Sequence, residues 1–210
     1  MRFLVEFHRN GKLTKELNST FIALIPKVNS PQRFNDFRPI SPVGCMYKVL
    51  VKVLANRLRN VIGSVVLDTQ STFVKGKQIL DGVLIANEVV DEAKSVNKEL
   101  LMFKVDFENG YDSVDLKYLD LVMGHMNFPT LWRNWINECV GTAKASVLLN
   151  GCPTGEFPIK RGLSQGDPLS PFLFLLAAEG FNVLMNVVVG AQLFYGYGIS
   201  RANEVRLIHI

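Results

Sequence analysis

The sequence contains few cysteines and no spacing of them that suits a structural metal. Cys45, Cys139 and Cys152 are far apart and odd in number, and the 210 residues hold no Cys-x-x-Cys pair or Cys/His cluster. This argues against a structural zinc site. Scattered thiols of this kind are typical of a reducing compartment rather than of a disulfide framework.

Acidic side chains are scarce in the first part of the chain. Residues 1–77 carry 13 Lys+Arg against 4 Asp+Glu, a balance of +9, whereas residues 78–210 carry 10 against 15, a balance of −5; together they give the net +4. A basic region suits a polyanionic partner, because cations that neutralise phosphates release counterions. The acidic remainder suits a metal site. Composition leaves a second interpretation open, a solvated surface of uneven sign.

The N-terminus has no apolar run long enough for a secretory signal peptide. The one long apolar stretch is Phe172 to Val189, and it contains Glu179, Asn182 and Asn186. Their spacing of three and four residues puts a polar stripe on one helical face. The stripe favours a core helix over a membrane span, so no membrane partner is predicted.

Apolar periodicity and turn residues predict the secondary structure. Predicted strands are Ser19–Ile25, Leu101–Asp106, Leu193–Ile199 and Glu204–Ile210, with a hairpin of Ala145–Leu149 and Gly155–Ile159 around Asn150-Gly151. Predicted helices are Tyr47–Ile62, Ile79–Val96, Asp115–His125, Pro129–Val140 and Pro168–Val189. The proline-rich stretch Asn29–Pro42 predicts a loop. Interspersed elements without strict alternation favour an α+β fold, with a mixed or antiparallel sheet flanked by helices.

Two stretches carry candidate chemistry. An apolar run delivers Asp106 at its end, and Glu108 and Asp112 follow. A carboxylate at the exit of a buried strand suits a hard cation and phosphoryl transfer by two metal ions. A helix cap or turn residue is the alternative reading of such an acid. In the predicted helix Tyr47–Ile62, Lys48, Lys52 and Arg59 lie opposite the apolar face, which indicates either a solvated surface or contact with nucleic acid.

Several long motifs occur in the order typical of one family. They are Phe21-Ile-Ala-Leu-Ile-Pro-Lys27, Asp36-Phe-Arg-Pro-Ile-Ser41, Tyr47 to Arg57, Gln70 to Ile79, the Asp106 stretch, and Arg161-Gly-Leu-Ser-Gln-Gly-Asp-Pro-Leu-Ser-Pro171. With these motifs the chain resembles, over essentially its whole length, the reverse transcriptase domain of non-LTR (LINE-type) retrotransposons, especially plant elements.

The resemblance implies a right-hand polymerase, with a fingers-like region at residues 1–98 and a partial palm at 99–210. The implied reaction is RNA-directed DNA polymerisation, with an RNA template, a DNA primer, dNTPs and two Mg²⁺ ions. The family's aromatic-Ala-Asp-Asp motif is expected just beyond Ile210, and the later palm motif and the thumb are absent from these residues. We therefore expect the metal site to be incomplete and the 210-residue chain to be inactive alone.

The resemblance also implies roles for individual residues. Asp106 matches the first catalytic aspartate and would ligate metal together with the backbone carbonyl of Phe107. Tyr111 matches the aromatic ring that excludes a ribose 2′-OH. The remaining matches are nucleotide contacts at Lys27, Arg38, Gln165 and Gly166, and template or primer contacts at Gln70, Gly76 and Gly162. Gly110 stands where the family usually has Ala, which should loosen the segment that holds Tyr111.

Two other classes remain as alternatives. One is a non-catalytic, nucleic-acid-binding relic of such an element. The other is a different two-metal nucleotidyl transferase, such as an RNA-dependent RNA polymerase. Tyr111 argues against the latter, because an RNA-making enzyme must admit the 2′-OH. The resemblance implies that the protein acts inside the cell, and the life cycle of such elements implies the nucleus. No basic targeting cluster in the sequence supports nuclear localisation. The oligomeric state is not set by the sequence.

Overall fold

The computed structural model describes residues 2–14, 17–41, 44–66, 79–102, 110–164, 166–195, 197–199 and 203–205. Within these ranges the helices are α1 (Arg2–Asn10), α2 (Cys45–Val65), α3 (Ile79–Ser95), α4 (Gly110–Ser113), α5 (Leu116–His125), α6 (Thr130–Gly141) and α7 (Ser170–Gly190). The strands are β1 (Ser19–Pro26), β2 (Phe37–Ile40), β3 (Lys144–Leu149), β4 (Cys152–Pro153), β5 (Phe157–Pro158), β6 (Tyr197–Ile199) and β7 (Asn203–Val205).

A mixed sheet is built around the neighbouring strands β1 and β3. Strand β1 pairs in parallel with β3, with Phe21 opposite Ser146, and antiparallel with β2, with Ile25 opposite Arg38. Strands β4 and β5 are both antiparallel partners of β3. Helices connect and flank this sheet, so the predicted α+β class with a mixed sheet is confirmed.

The hairpin after β3 turns at the residues that the sequence indicates. Asn150 has φ 51° and Gly151 has φ 80°, and Leu149 pairs with Cys152 across the turn. Two successive positive φ angles define a type I′ turn, which Asn-Gly adopts at little cost and which matches the right-handed twist of the flanking strands. The predicted hairpin is therefore confirmed, with its return strand divided into the two short strands β4 and β5.

The stretch Asn29–Pro42 differs from the loop that its prolines predict. It contains a 3₁₀ turn at Phe34–Asp36 and the strand β2, in which Pro39 pairs with Leu24. Proline is tolerated here because β2 is an edge strand among the described strands, so its missing N–H leaves no second ladder incomplete. The loop prediction was wrong for these residues.

The predicted helices are confirmed with small shifts at their ends. Asp115 caps α5 by accepting hydrogen bonds from the N–H groups of Lys117 (2.9 Å) and Tyr118 (3.0 Å). Helix α6 starts directly after Pro129. The two helices are tied together by Asp120, which accepts a hydrogen bond from Arg133 Nε at 2.9 Å and one from Asn137 at 3.0 Å.

The described residues fall into two compact units, and each consists of two stretches of chain. The first unit comprises residues 1–58 and 109–174, and the second comprises 59–108 and 175–210. The first unit holds the mixed sheet; its largest fully buried apolar side chains are Val51, Leu58, Leu119, Met123, Ile136, Leu169 and Leu173. The division of the chain into fingers and palm at residue 98 stays a prediction.

The second unit contains the polar stripe of α7. Glu179 and Asn182 are each only 1% exposed, and the Asn182 amide donates to Glu179 at 3.0 Å, whereas Asn186 is exposed. Among the described residues α7 is the one helix whose length and composition would allow it to cross a membrane, and 39% of its most apolar window is buried. The polar stripe is therefore buried at Glu179 and Asn182 and reaches the surface at Asn186, and the choice of a core helix over a membrane span stays a prediction.

The second unit also contains a short antiparallel pair of strands. Strands β6 and β7 pair through Gly198 and Glu204, so two closing strands are present near the end of the chain. The prediction that the first of them begins at Leu193 was wrong, because Leu193 and Phe194 lie in a bend and β6 begins at Tyr197. The predicted strand Leu101–Asp106 begins differently, because Leu101 is 83% exposed and neither it nor Met102 is in a strand. Residues 103–109 lie outside the described ranges, and so does the predicted sheet position of Asp106.

Candidate nucleotide-binding site

In the first unit, two distant sequence motifs come into direct backbone contact. The segment that follows the Asp106 stretch forms the single-turn helix α4, in which Ser113 Oγ bonds back to the Gly110 carbonyl at 2.9 Å. The N–H of Gly162 donates to the Val114 carbonyl at 2.9 Å, and the N–H of Leu163 donates to the Tyr111 carbonyl at 2.8 Å. These bonds fix residues 111–114 against the start of the Arg161–Pro171 motif.

Gly162 is placed so that only glycine fits without rearrangement. Its φ is +87°, and a Cβ built on it would lie 2.8 Å from the Asp112 carbonyl oxygen and 2.9 Å from the Asp112 Cα. The sequence predicts a template or primer contact at Gly162 through close backbone approach. In the structure, the closest approach at Gly162 is to the protein's own backbone at Asp112, so the residue has a clear role in packing. The nucleic-acid role stays a prediction.

Tyr111 lies face to face with Phe174, the residue that ends the first unit. The ring centroids are 5.0 Å apart and the planes are inclined by 16°. Stacking of this kind holds an aromatic ring in a defined orientation. Tyr111 is half-buried, and burial raises the pKa of its hydroxyl above the usual value. The ring is therefore a rigid, uncharged surface, which is what exclusion by volume requires.

The turn between Gly162 and α7 is closed by hydrogen bonds to Ser164. Its carbonyl accepts from Ser170 Oγ at 2.8 Å and from the Asp167 N–H at 3.3 Å. Gly166 lies inside this closed turn with φ +91°, and no atom of the described residues would lie within 4 Å of a Cβ on it. The turn is thus held on one side, while the Gly166 side is open to a ligand.

Asp167 anchors this turn from within the protein. It is 6% exposed, and its Oδ1 accepts the Leu169 N–H at 2.8 Å. The buried Tyr47 hydroxyl is shared between the Cys139 carbonyl, at 3.1 Å, and the Asp167 carboxylate. Burial raises the pKa of Asp167, and the hydrogen bonds from Leu169 and Tyr47 oppose that rise. These contacts give Asp167 a structural role in holding the turn.

Sequence reasoning did not identify Tyr47 as part of this region. Tyr47 lies on the buried face of α2, where its position fits the apolar periodicity of that helix. The available signal was the hydroxyl itself, because a buried tyrosine usually finds a hydrogen-bond partner. The contact links the start of α2 to the turn that contains Gly166.

Lys27 and Arg38 come together on the β1–β2 hairpin. Arg38 pairs with Ile25, and Lys27 follows the end of β1, with its N–H bonded to the Asp36 carbonyl at 2.7 Å. The Lys27 ammonium donates to the Asn35 carbonyl at 3.0 Å. Both basic side chains are exposed. The structure thus puts the two predicted triphosphate contacts at one end of a single hairpin.

Five predicted site residues lie outside the described ranges. They are Gln70, Gly76, Asp106, Phe107 and Gln165. Within the described ranges, no group of three or more His, Cys, Asp or Glu side chains is arranged to hold a metal ion.

Comparison with known proteins identifies the family. Residues 25–193 match the reverse transcriptase (RNA-dependent DNA polymerase) family, which is well over half of the chain and includes both motifs that meet at Gly162. The chain belongs to this family.

Three similar proteins illustrate the relationship. An uncharacterized 149 kDa protein of transposon TX1 from Xenopus laevis is 28% identical over 184 residues, which is 88% of this chain and 14% of that protein. The Pol polyprotein of the retrotransposable element R2 from Popillia japonica is 27% identical over 72% of this chain and 21% of its own length. An uncharacterized mitochondrial protein from Arabidopsis thaliana is 56% identical over 63 residues, 30% of this chain and 51% of that protein.

The chain therefore spans about a seventh to a fifth of the transposon proteins that it matches. Both of these relatives are proteins of mobile elements, and they are similar to this chain across most of its length. Together with the family match, they support the prediction of a reverse transcriptase domain fragment of a LINE-type element.

Proposed function

We propose that these residues form the fingers and part of the palm of a reverse transcriptase that extends a DNA primer along an RNA template. The observation that carries the proposal is the docking of residues 111–114 on Gly162 and Leu163. It joins the segment that follows Asp106 to the turn that contains Gly166. Two motifs that the family uses for nucleotide addition are thereby adjacent.

In this proposal, the incoming dNTP lies between the Tyr111 ring and the open side of Gly166. The ring, stacked on Phe174, limits the space under C2′ of the sugar, so a 2′-OH is excluded by volume. Gly166 allows the backbone to approach the nucleotide because no side chain intervenes. Gln165 and Gly162 would contribute the nucleotide and template contacts that the family resemblance implies.

Lys27 and Arg38 would hold the triphosphate. The guanidinium of Arg38 suits a bidentate contact with phosphate oxygens, and the Lys27 ammonium acts as a point charge. Their common position on the β1–β2 hairpin supports a shared role. Gln70 and Gly76 would add contacts to the template or primer.

Two Mg²⁺ ions would supply charge stabilisation and activate the primer hydroxyl. Asp106 and the carbonyl of Phe107 are the ligands proposed for them. Magnesium takes only one or two protein carboxylates per ion and completes its shell with water and substrate phosphates. Two ions need more carboxylates than Asp106, and the 210 residues contain no Asp-Asp pair.

Primer extension tests the proposal in a chimera. Residues 1–210 would replace the matching stretch of the Popillia japonica R2 polyprotein, and the unaltered polyprotein would serve as the positive control. We expect the chimera to extend a DNA primer on RNA, and Asp106→Asn to abolish extension. The isolated 210-residue chain should bind the same template–primer without extending it. A chimera whose activity survives Asp106→Asn would contradict the proposed catalytic role.

A further inference from the structure

The tip of the β1–β2 hairpin presents an aromatic ring to solvent. Phe34, in the 3₁₀ turn between the two strands, is 86% exposed. Single exposed apolar side chains are common on protein surfaces, but an almost fully exposed phenylalanine contributes little to folding. Its exposure therefore points to a role other than packing within this chain.

The ring is presented by a well-ordered turn. The Asp36 carboxylate accepts the N–H of Gln32 at 2.8 Å and the N–H of Arg33 at 2.9 Å. The Asp36 N–H bonds to the Arg33 carbonyl at 2.9 Å, and the Lys27 N–H bonds to the Asp36 carbonyl. The bonds from the Gln32 and Arg33 N–H groups to the carboxylate hold the pKa of Asp36 below its ordinary value. They close the turn on both sides of Phe34 and fix the backbone that carries the ring.

Basic residues lie next to Phe34 in the sequence and elsewhere in the same hairpin. Arg33 precedes Phe34, Lys27 bonds to the residue that follows it, and Arg38 lies in the adjoining strand. The hairpin, residues 19–40, contains three Lys or Arg and one acid, Asp36, whose carboxylate is used within the turn. An exposed aromatic ring among cations is the arrangement used to bind single-stranded nucleic acid, in which bases stack on rings and cations track the phosphates.

We propose that Phe34 is a stacking platform for an unpaired base of the template strand, and that Arg33 holds the adjacent phosphate. The inference deepens the proposed function by naming the strand that the hairpin tip contacts. A double helix keeps its bases inside, so the ring can stack only on a single-stranded stretch or an end. Charge complementarity favours this occupant over an apolar protein surface, because the hairpin carries a net charge of +2 from Lys27, Arg33, Arg38 and Asp36.

The test measures binding of the 210-residue chain to a fluorescent single-stranded RNA of about 12 nucleotides. The salt concentration is low, about 50 mM, so that phosphate contacts are strong. Phe34→Ala should weaken binding about five-fold or more, because stacking on an aromatic side chain is lost. Phe34→Trp should restore it and Phe34→Leu should not. An RNA of the same length with abasic positions should bind Phe34→Ala and the parent equally.

Tyr195→Ala is the matched control, since Tyr195 is another aromatic residue with 70% exposure and belongs to the second unit. It should leave binding unchanged, and thermal unfolding should show that Phe34→Ala is as stable as the parent. Parent-like RNA binding by Phe34→Ala, or full restoration by Phe34→Leu, would overturn the stacking role while leaving the proposed function intact. A parent chain that binds neither single-stranded RNA nor an RNA–DNA hybrid would contradict the proposed function as well.

Discussion

Gly162 lies against the backbone of Asp112, and this contact joins the two motifs of the candidate site. The nearest atom to a Cβ on Gly162 would be the Asp112 carbonyl oxygen, at 2.8 Å. Backbone atoms cannot move away as a flexible side chain can. The position of Tyr111 relative to the Gly166 turn therefore depends on the absence of a side chain at residue 162.

Gly162→Ala should destabilise the chain more than Gly166→Ala. Both residues have positive φ, so each alanine should cost about 1–2 kcal/mol in backbone strain. At Gly162 the contact with Asp112 should add roughly 1–3 kcal/mol, as in an overpacked core. Urea unfolding of the three proteins measures the difference. Equal losses of stability in the two variants would show that residues 111–114 do not pack tightly on the turn.

The buried carboxyl of Asp167 should make the folded chain less stable as the pH rises. Because burial raises its pKa above the ordinary 3.8, the folded state keeps a proton that the unfolded state has lost. The free energy of unfolding should therefore decrease as pH rises from about 4 through the folded pKa. In Asp167→Asn, which can still accept the Leu169 N–H, the contribution of residue 167 to this pH dependence should be lost.

The measurement is the difference in free energy of unfolding between the parent and Asp167→Asn across that pH range. Asp120→Asn provides a contrast of opposite sign. The hydrogen bond from Arg133 holds the pKa of Asp120 below 3.8, so its contribution is lost as pH falls. A parent that gains stability relative to Asp167→Asn as the pH rises would contradict the burial of an ionisable carboxyl at residue 167.

The exposed lysines of α2 should contribute to nucleic-acid binding. Lys48 and Lys52 are one turn apart on a 21-residue helix that contains no acidic residue. Lys48→Gln/Lys52→Gln should reduce the slope of log K against log salt by about 2 for an RNA–DNA hybrid. Fluorescence anisotropy at several salt concentrations measures the slope.

Lys117→Gln/Lys144→Gln is a control with the same change of charge. Lys117 lies beside Asp115, and Lys144 is bonded to Glu156 at 2.9 Å, so both charges are already balanced locally. This variant should keep the parent's slope. The same reduction in both double variants would mean that net charge, and not the face of α2, determines binding.

Local signals in the sequence predicted the regular elements well. The spacing of Leu50, Leu54 and Leu58 indicates α2, and Asn150-Gly151 indicates the hairpin turn; both are present because they depend on neighbouring residues. Strand β2 was missed because its stability comes from pairing with β1 rather than from its own residues, which include Pro39.

The candidate site could be predicted only in part, because it too depends on contacts between residues that are distant in the sequence. Motif order identified Tyr111, Gly162 and Gly166, and the structure brings the first two together. Motif order did not reveal that Gly162 packs on Asp112, that Tyr111 stacks on Phe174 or that Tyr47 reaches Asp167. Each of these contacts joins residues far apart in sequence, where no periodic pattern can indicate a partner.

The central claim is that Tyr111 and the Gly166 turn form the sugar pocket of a reverse transcriptase, and selection between dNTP and rNTP tests it most directly. In the R2 chimera, the ratio of incorporation rates would be measured for the parent, Tyr111→Phe and Tyr111→Ala. We predict that Tyr111→Phe keeps the preference for dNTP, because the ring acts by volume, and that Tyr111→Ala admits ribonucleotides. An active Tyr111→Ala chimera that discriminates as well as the parent would contradict the account, because Tyr111 would then serve packing alone.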